Sequence, residues 1–504
     1  MSSFRKLLLL GIAALPLAAC GADDIASPGE GVIIPGPGGG SPTPPPPPAP
    51  GTPAATCPTG TTDGGEILAN RRVCRLPNQI TGNTVVRNAQ GVAYALSGRV
   101  NVGVDVGGNG QAAGGQAATL TIEPGAVLFG ASGADFLVVN RGSQIFAEGT
   151  QTSPIIFTSR QNLAGSATDS SSNQWGGIIL LGRAPISNCD GGATGGSASC
   201  QKLVEGPGAN AYYGGDVAAD SSGSMRYVQI RYTGFSLIEG NELQGLTTGG
   251  VGSGTNLQFI QIHNSGDDGI EIFGGRHNMK NIVITGADDD SLDTDFGYKG
   301  FIQYVIAIQR DQAAGNSGDT IIEADSTDDG LFNSTPRQNT RLANFTFVQR
   351  RTGRSAILLR GGTDYALYNG VVVGPTNCLD IDTAETVQTT GDDEAGIPRF
   401  NSVAFSCPTA FDPDSDDFEG PTFNAGANNN SALVSTLTNL FVNGANETGV
   451  QAFATLSTIS AYFTNTNYIG AVRDASDTWY RGWTCDSAYA PFGSNAACTA
   501  IPVS

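Results

Sequence analysis

The sequence predicts an all-β protein, a single-stranded right-handed parallel β-helix with disulfide-stapled loops and a C-terminal cap. Two consecutive 22-residue stretches, Leu257–Asn278 and Met279–Gly300, align without a gap, acidic residue on acidic and apolar on apolar. A short repeat rich in glycine and β-branched residues is what one coil of a parallel β-helix requires. The composition agrees, because the chain has 70 glycines and only 14% charged residues, and long 3.6-residue patterns are nearly absent.

The first twenty residues predict a signal peptide over 1–19 and a lipid anchor at Cys20. Arg5 and Lys6 precede an apolar run that is too short to span a bilayer. The run ends in Leu17–Cys20, which resembles the lipobox of bacterial lipoproteins. That resemblance implies a diacylglyceryl group on Cys20, with palmitate as a further acyl chain. Gly21 follows, where enterobacterial lipoproteins retained in the inner membrane have Asp, so we expect the outer membrane and display at the cell surface.

The residues after the anchor predict a tether and then one long domain. Residues 20–56 are rich in Pro and Gly and include five consecutive prolines, Pro44–Pro48. Such a segment buries little apolar surface and favours extended, disordered conformations. We therefore expect a lipidated, disordered tether over 20–56, the β-helix over 57–485, and a C-terminal cap or tail over 486–504.

The cysteines indicate an oxidising compartment. Eight cysteines follow Cys20, none at the spacing of a metal site, so structural disulfides are favoured. Pairing by proximity gives Cys57–Cys74, Cys189–Cys200, Cys378–Cys407 and Cys485–Cys498. Only two histidines are present, which argues against zinc, haem and Ser-His-Asp chemistry. His263 and His277 are expected at solvated turn positions, and Trp479, Tyr480 and Trp483 in the cap over the last coil.

Short alternating segments punctuated by Gly, Asn or Asp predict the strands. They are Thr119–Ile122, Phe136–Val139, Ile155–Thr158, Ile178–Leu181, Tyr227–Arg231, Phe259–His263, Ile282–Thr285, Tyr304–Ile308, Asn344–Val348 and Gly370–Val373.

Side-chain alternation along the repeated strand separates core positions from surface positions. The core positions are Ile270, Leu292, Ile322 and Ile357, with Ile272, Thr294, Ala324 and Leu359. Two outward columns result, Glu271, Asp293, Glu323 and Leu358, and Phe273, Asp295, Asp325 and Arg360. A third column lies at the preceding turn and contains Asp267, Asp289, Asp319 and Arg354. The sequence therefore predicts an acidic outer face that ends in two arginines.

Two resemblances extend this interpretation. Thr119–Gly125 and Pro154–Ser159 resemble the N-terminal coils of the pectate-lyase-like right-handed parallel β-helix superfamily. Trp175–Gly182, Gly266–Glu271 and Asp288–Asp293 resemble segments of uncharacterised Gram-negative β-helix surface lipoproteins found alongside TonB-dependent receptors. The second resemblance implies a role as an accessory to such a receptor in nutrient capture, without an established activity.

The stacked carboxylates need compensation, because like charges one coil apart repel each other. Bound Ca²⁺, the arginines, or a cationic or polyhydroxyl ligand would each supply it. The expected Ca²⁺ ligands are Asp267, Asp268, Asp289, Asp290 and Asp319. The expected ligand-binding residues are Glu271, Asp293, Asp295, Glu323, Asp325, Arg354 and Arg360. Hydrogen bonds from the turn backbone are the alternative for Asp267 and Asp289, and no organic cofactor is expected.

A glycan-active enzyme, either a polysaccharide hydrolase or a lyase, is the competing hypothesis, with Glu271, Asp293, Glu323 and Arg360 as its catalytic residues. Polysaccharide hydrolases use two carboxylates about 5–5.5 Å apart when retaining and about 6.5–9.5 Å apart when inverting. Stacked acids on adjacent or alternate coils provide both spacings. The net charge of −20 disfavours polyanionic substrates and nucleic acid, so a neutral polysaccharide is the expected substrate of this alternative.

Overall fold

The computed structural model describes residues 51–502 apart from 209, 238–241, 312–318, 328–329, 390–395 and 495. The predicted signal peptide, Cys20 and residues 20–50 of the tether lie outside the described residues. Among the helices that are described, none has the length and apolar character needed to cross a membrane.

Short strands dominate the described residues. In chain order they are Thr62–Leu68 (β1), Arg71–Arg75 (β2), Gln79–Ile80 (β3), Asn83–Val86 (β4), Val92–Leu96 (β5), Arg99–Val102 (β6), Thr119–Ile122 (β7), Val127–Gly130 (β8), Phe136–Val139 (β9), Gln144–Glu148 (β10), Ile155–Ser159 (β11), Gly177–Leu181 (β12), Lys202–Leu203 (β13), Tyr212–Tyr213 (β14), Gly223–Arg231 (β15), Leu246–Gly249 (β16), Asn256–His263 (β17), Ile270–Phe273 (β18), Asn278–Thr285 (β19), Leu292–Asp295 (β20), Phe301–Ile308 (β21), Ile322–Ala324 (β22), Asn339–Val348 (β23), Ile357–Leu359 (β24), Asp364–Val373 (β25), Asn377–Ile381 (β26), Arg399–Ser406 (β27) and Thr409–Phe411 (β28). The helices are Arg160–Leu163 (α1), Glu419–Asn424 (α2) and Ala445–Thr448 (α3), with 3₁₀ turns at Asp190–Gly192 and Leu456–Thr458.

The strands form two long, mostly parallel sheets, as a β-helix requires. The short-strand sheet has the order β3-β6-β9-β12-β16-β18-β20-β22-β24-β26-β28. The long-strand sheet follows β1-β2-β5-β8-β11-β15-β17-β19-β21-β23-β25-β27, and β4, β7 and β10 join it through β15. From β15 onward each coil therefore contributes one strand to each sheet, and the predicted parallel β-helix is confirmed.

Each long strand from β15 to β27 bends at one residue with a positive φ. These residues form one column, Tyr227, Phe259, Asn281, Tyr304, Asn344, Asn369 and Ser402, with φ between 51° and 63°. Asn tolerates this left-handed conformation, whereas for bulky aromatic residues it is uncommon. The rings of Tyr227 and Phe259 stack with centroids 4.4 Å apart. The bend turns each long strand across two sides of the coil.

The core fills the space inside the coils, and the predicted register is confirmed. Ile270 pairs with Leu292, which pairs with Ile322, which pairs with Ile357. All four side chains are at most 2% exposed. A stack of Ile, Leu and Val therefore runs along the inside of the helix, and burial of its apolar area is the main stabilising contribution.

The β-helix has a C-terminal cap, but helix α2 forms it rather than the predicted segment 486–504. The last strand of the short-strand sheet ends at Phe411 rather than near residue 485. Helix α2 follows, and its Phe423 packs on Phe405 and Phe411 inside the last coil, with ring centroids 4.5 and 5.6 Å away. The fully buried Phe423 supplies the apolar surface that closes this end.

The segment from residue 425 to 502 lies along the outside of the long-strand sheet instead. Trp483 is fully buried in a cluster with Val283 and Ile306, which point outward from β19 and β21. Arg231 donates hydrogen bonds to the carbonyl oxygens of Cys498 and Ala500, at 2.8 and 2.9 Å. We expected Trp479, Tyr480, Trp483 and residues 486–504 to cover the last coil. The three aromatic residues and the described residues between 486 and 502 cover a flank instead, because outward apolar residues of the long strands need burial.

All four predicted disulfides are confirmed, namely Cys57–Cys74, Cys189–Cys200, Cys378–Cys407 and Cys485–Cys498. The histidine prediction is wrong, since both side chains are fully buried. His263 lies between Tyr232 and Tyr489, where the outer segment covers it, and His277 packs against Tyr298. The repeat alignment matched these positions to polar residues but did not reveal what covers them.

Candidate functional site

The acidic face is the outer surface of the short-strand sheet, on β18, β20, β22 and β24. Glu271 pairs with Asp293, Asp293 with Glu323, and Glu323 with Leu358. Phe273 pairs with Asp295 in the next column. Strand pairing places successive members of a column about 4.8 Å apart. The repeat thus brings together the carboxylates that the sequence predicted to be neighbours.

An excursion between β12 and β15 covers part of this face. Its hairpin, β13 and β14, is pinned near its base by Cys189–Cys200. Tyr213 of the hairpin stacks on Phe273, which stacks on Phe296, with centroid distances of 5.8 and 5.5 Å. Glu271 is consequently only 6% exposed although it points outward from the sheet. The sequence predicted the direction of Glu271 but not its burial.

Hairpin and sheet enclose a cleft of about 300 Å³. Its lining combines carboxylates, two cationic side chains and three aromatic rings. The lining residues are Lys202, Leu203, Glu205, Tyr213, Glu271, Phe273, Asp293, Asp295, Phe296, Glu323, Asp325 and Arg360.

Three carboxylates converge at one end of the cleft. One oxygen each of Asp268, Glu271 and Asp293 lies within 4.8 Å of the others. Oε2 of Glu271 and Oδ1 of Asp293 are buried and have no hydrogen-bond partner among the described residues. Oδ1 of Asp268 accepts a hydrogen bond from the backbone N–H of Asp290 at 2.9 Å. We refer to Asp268, Glu271 and Asp293 as the carboxylate triad.

The triad is electrostatically unfavourable when all three groups are charged. Burial, followed by repulsion from neighbouring carboxylates, raises the pKa of Asp268, Glu271 and Asp293 well above the usual range. The strongest neighbouring repulsion comes from Asp267 on Asp268, Glu205 on Glu271 and Asp295 on Asp293. At neutral pH the triad therefore needs protons or a bound cation.

Arginines compensate the other end of the acidic face. Arg360 pairs with Glu323 and, at 2.8 Å, with Asp325. Arg354 pairs with Asp319 at 2.9 Å. Neither arginine makes an ion pair with a triad carboxylate in the described part of the chain. Of the three compensations expected from the sequence, the arginines thus form ion pairs with Asp319, Glu323 and Asp325 in the described part of the chain.

The remaining predicted cation ligands lie at the turn before the short strands. Asp267 accepts hydrogen bonds from the backbone N–H of Asp268 and from Gln244, the latter at 3.3 Å. Burial and the Asp289 charge raise the pKa of Asp267 to about 8, and burial and Asp319 raise that of Asp289 to about 6. Backbone hydrogen bonding, the alternative to a metal for these turns, is thus present at Asp267.

Asp290 has a different role from its repeat partner Asp268. Its Oδ1 accepts hydrogen bonds from both the backbone N–H and the hydroxyl of Thr320, at 2.5 and 2.7 Å. These bonds tie one coil to the next. The repeat alignment made Asp268 and Asp290 equivalent, but only Asp268 lies in the triad.

A second acidic group, which the sequence analysis missed, lies near the end of the helix. One oxygen each of Asp380, Asp414 and Glu419 lies within 4.8 Å of the others. Burial and the nearby Asp382 raise the pKa of Asp380 to about 7. The signal was visible in the sequence, since acids alternate through Asp412–Asp416, but this segment lies outside the repeat that we aligned.

The carboxylate triad suits a hard cation. Ca²⁺ takes six to eight oxygen ligands at about 2.3–2.6 Å. The three triad carboxylates carry six oxygens, of which one accepts a hydrogen bond from the backbone N–H of Asp290. The uncompensated oxygen of Glu271 is the specific feature that a cation would satisfy.

Fold and site together define a parallel β-helix protein with a partly covered acidic cleft. Residues 108–484 match the family model described as the pectate-lyase like beta helix domain, and the chain belongs to this family. Comparisons with curated proteins and with solved structures gave no match. The predicted superfamily is thereby confirmed, and the narrower resemblance to lipoproteins that accompany TonB-dependent receptors stays a prediction.

Proposed function

We propose that this protein is an outer-membrane lipoprotein, exposed at the cell surface, whose β-helix captures a cation or a cation-bearing nutrient for a TonB-dependent receptor. Ca²⁺ is the first candidate, with the carboxylate triad as its ligands. The observation that carries the proposal is the buried oxygen of Glu271, which has no hydrogen-bond partner in the described part of the chain and lies in a cluster of three carboxylates. The anchor and the receptor are supported by the sequence resemblances alone.

A cation would relieve repulsion that the fold itself creates. The hairpin buries the triad, and the arginines pair with other carboxylates. The folded state is stabilised when one carboxylate of the triad loses its charge, or when bound Ca²⁺ neutralises the carboxylates. The turn before the short strands carries three further carboxylates, those of Asp267, Asp289 and Asp319. They add negative potential near the cation but do not bind it directly.

Calorimetric titration of the full chain with Ca²⁺, after treatment with EDTA, tests the proposal. We expect one saturable site whose affinity falls at least tenfold in Glu271→Gln, which retains the side-chain volume. Glu148→Gln is the matched control, because Glu148 is exposed and belongs to β10 of the other sheet. Equal Ca²⁺ binding by the parent chain and Glu271→Gln would refute the triad as the site.

Two further experiments test the lipid anchor and the partner. Growth with labelled palmitate should label the parent chain and leave Cys20→Ser unlabelled. Affinity purification through a C-terminal tag should recover a TonB-dependent receptor from outer membranes, and the Cys20→Ser form should recover less. Equal labelling of Cys20→Ser and the parent chain would contradict lipid anchoring at Cys20.

The glycan-active enzyme is the second candidate, and the cleft geometry is the observation that favours it. Glu271 and Asp293 lie on adjacent coils, about 4.8 Å apart by strand pairing, close to the spacing of a retaining hydrolase. The raised pKa of Glu271 suits a proton donor. Incubation with neutral polysaccharides, followed by measurement of reducing ends, decides this candidate. Formation of reducing ends by the parent chain but not by Glu271→Gln would support the enzyme.

A further inference from the structure

We propose that the outer part of the cleft binds an aliphatic polyamine, an organic cation whose ammonium groups are separated by methylene chains. This inference deepens the proposed function, because it assigns a ligand class to the same acidic face. It rests on features that a bare metal ion would not use: aromatic rings beside the carboxylates, and an ammonium group of the protein itself at the cleft.

The charge of the cleft favours a cation with several positive groups. Carboxylates outnumber cationic side chains by six to two in its lining. The carboxylates are Glu205, Glu271, Asp293, Asp295, Glu323 and Asp325. Five of them, all except Glu205, form two columns along successive coils, so negative charge repeats about every 4.8 Å along the cleft. A chain with ammonium groups at intervals matches such a row, whereas a single metal ion engages only one end of it.

Three stacked rings give the cleft an apolar wall. Tyr213, Phe273 and Phe296 stack in that order on the side of the carboxylates. Carboxylates attract ammonium groups, and aromatic surface attracts both the ammonium and its methylene chain. The aromatic rings should not contribute to the affinity for Ca²⁺, since Ca²⁺ prefers oxygen ligands.

The protein already places an alkylammonium group in this environment. Nζ of Lys202 lies 5.1 Å from the centroid of the Phe296 ring. Within the described residues Lys202 makes no ion pair, although it lines a cleft rich in carboxylates. Lys202 thus makes with Phe296 the contact that a ligand ammonium would make, and a ligand would displace it.

A buried, unsatisfied group independently indicates that the cleft takes a ligand. Glu271 lines the cleft, is only 6% exposed, and has one oxygen to which no described residue donates a hydrogen bond. Asp293, which also lines the cleft, has a buried oxygen of the same kind. An ammonium group carries up to three N–H donors, so one amine reaching the inner end of the cleft could serve both oxygens.

Calorimetric titration of the full chain with spermidine, in EDTA and near-physiological salt, tests the inference. We expect saturable binding that is tighter than binding of Mg²⁺. Phe296→Leu, which keeps an apolar side chain but removes the ring, should weaken spermidine at least threefold and leave Ca²⁺ affinity unchanged. Lys202→Ala should strengthen spermidine more than Ca²⁺, whereas Glu148→Gln should change neither.

The outcomes separate this inference from the proposed function. Saturable Ca²⁺ binding without spermidine binding would overturn the inference and leave the proposed metal site standing. Spermidine binding that responds to Phe296→Leu, without Ca²⁺ binding, would support the inference and refute the metal. Spermidine binding that Phe296→Leu and Lys202→Ala leave unchanged would show attraction to the net charge only, and would overturn the inference.

Discussion

Replacement of Asp267 by Asn should stabilise the protein at neutral pH in the absence of a bound cation. Burial and the charges of Asp289, Glu242 and Glu205 raise the pKa of Asp267 from 3.8 to about 8. The native state therefore holds a proton that the unfolded chain releases as the pH rises above about 4. Unfolding then becomes progressively easier up to about pH 8, because the unfolded state binds fewer protons.

The size of the effect follows from the shift. Each pKa unit corresponds to about 1.36 kcal/mol, so at pH 7 the penalty that Asp267 imposes is about 4 kcal/mol. Asn keeps the acceptor oxygen for the N–H of Asp268 but has no charge to neutralise. The gain of Asp267→Asn should thus be about 4 kcal/mol at pH 7 and under about 1 kcal/mol at pH 4.

Urea unfolding in EDTA, followed by tryptophan fluorescence at pH 4 and pH 7, measures this difference. The matched control is Asp474→Asn. The side chain of Asp474 is about half exposed, and hydrogen bonds from Ser476 and Arg473 lower its pKa to about 2, so its replacement should not stabilise the protein at pH 7. Equal stabilisation of Asp267→Asn at both pH values, or none, would refute the electrostatic reasoning.

Three further outcomes follow from the structure. Arg360→Gln should lower the free energy of unfolding by about 2 kcal/mol, because it leaves Asp325 and Glu323 without their ion pair. Arg473→Gln, at an exposed pair, should lower it much less, and equal losses would contradict the compensation. Phe423→Ala should cost about 3–5 kcal/mol in urea unfolding, and a negligible loss would show that α2 does not close the last coil. Glu271→Gln should unfold at a higher temperature than the parent chain in EDTA and lose the gain that Ca²⁺ gives the parent chain; a full Ca²⁺ gain would place the ion elsewhere.

The strands show where sequence patterns suffice. The strand predicted at Phe259–His263 is the second half of β17, which begins at Asn256. The same shortening occurs at β15 and β21, because Tyr227, Phe259 and Tyr304 occupy a left-handed bend in the middle of each strand. Aromatic residues give no sign of that conformation in a sequence, whereas the alternation after the bend is regular.

The pairing register of the short strands was predictable from the sequence, whereas the burial of the carboxylate triad was not. The recurring pattern of apolar and acidic residues fixed which residues of β18, β20, β22 and β24 are neighbours, although the coils differ in length, because one slip would move Ile270 and Leu292 into water. The burial of Glu271 depends on a hairpin more than fifty residues earlier in the chain, which no local pattern connects to it. Likewise, Val283 and Ile306 point outward and are buried against residues of the segment 425–502, which no local pattern connects to them.

A crystal structure of the protein grown with Ca²⁺ tests the central claim most directly. We predict one ion bound to oxygens of Asp268, Glu271 and Asp293 at about 2.3–2.6 Å, with the arginine pairs of Asp319 and Asp325 retained. A structure in which these three carboxylates bind only water or one another, at Ca²⁺ concentrations that saturate calorimetric binding, would contradict the account.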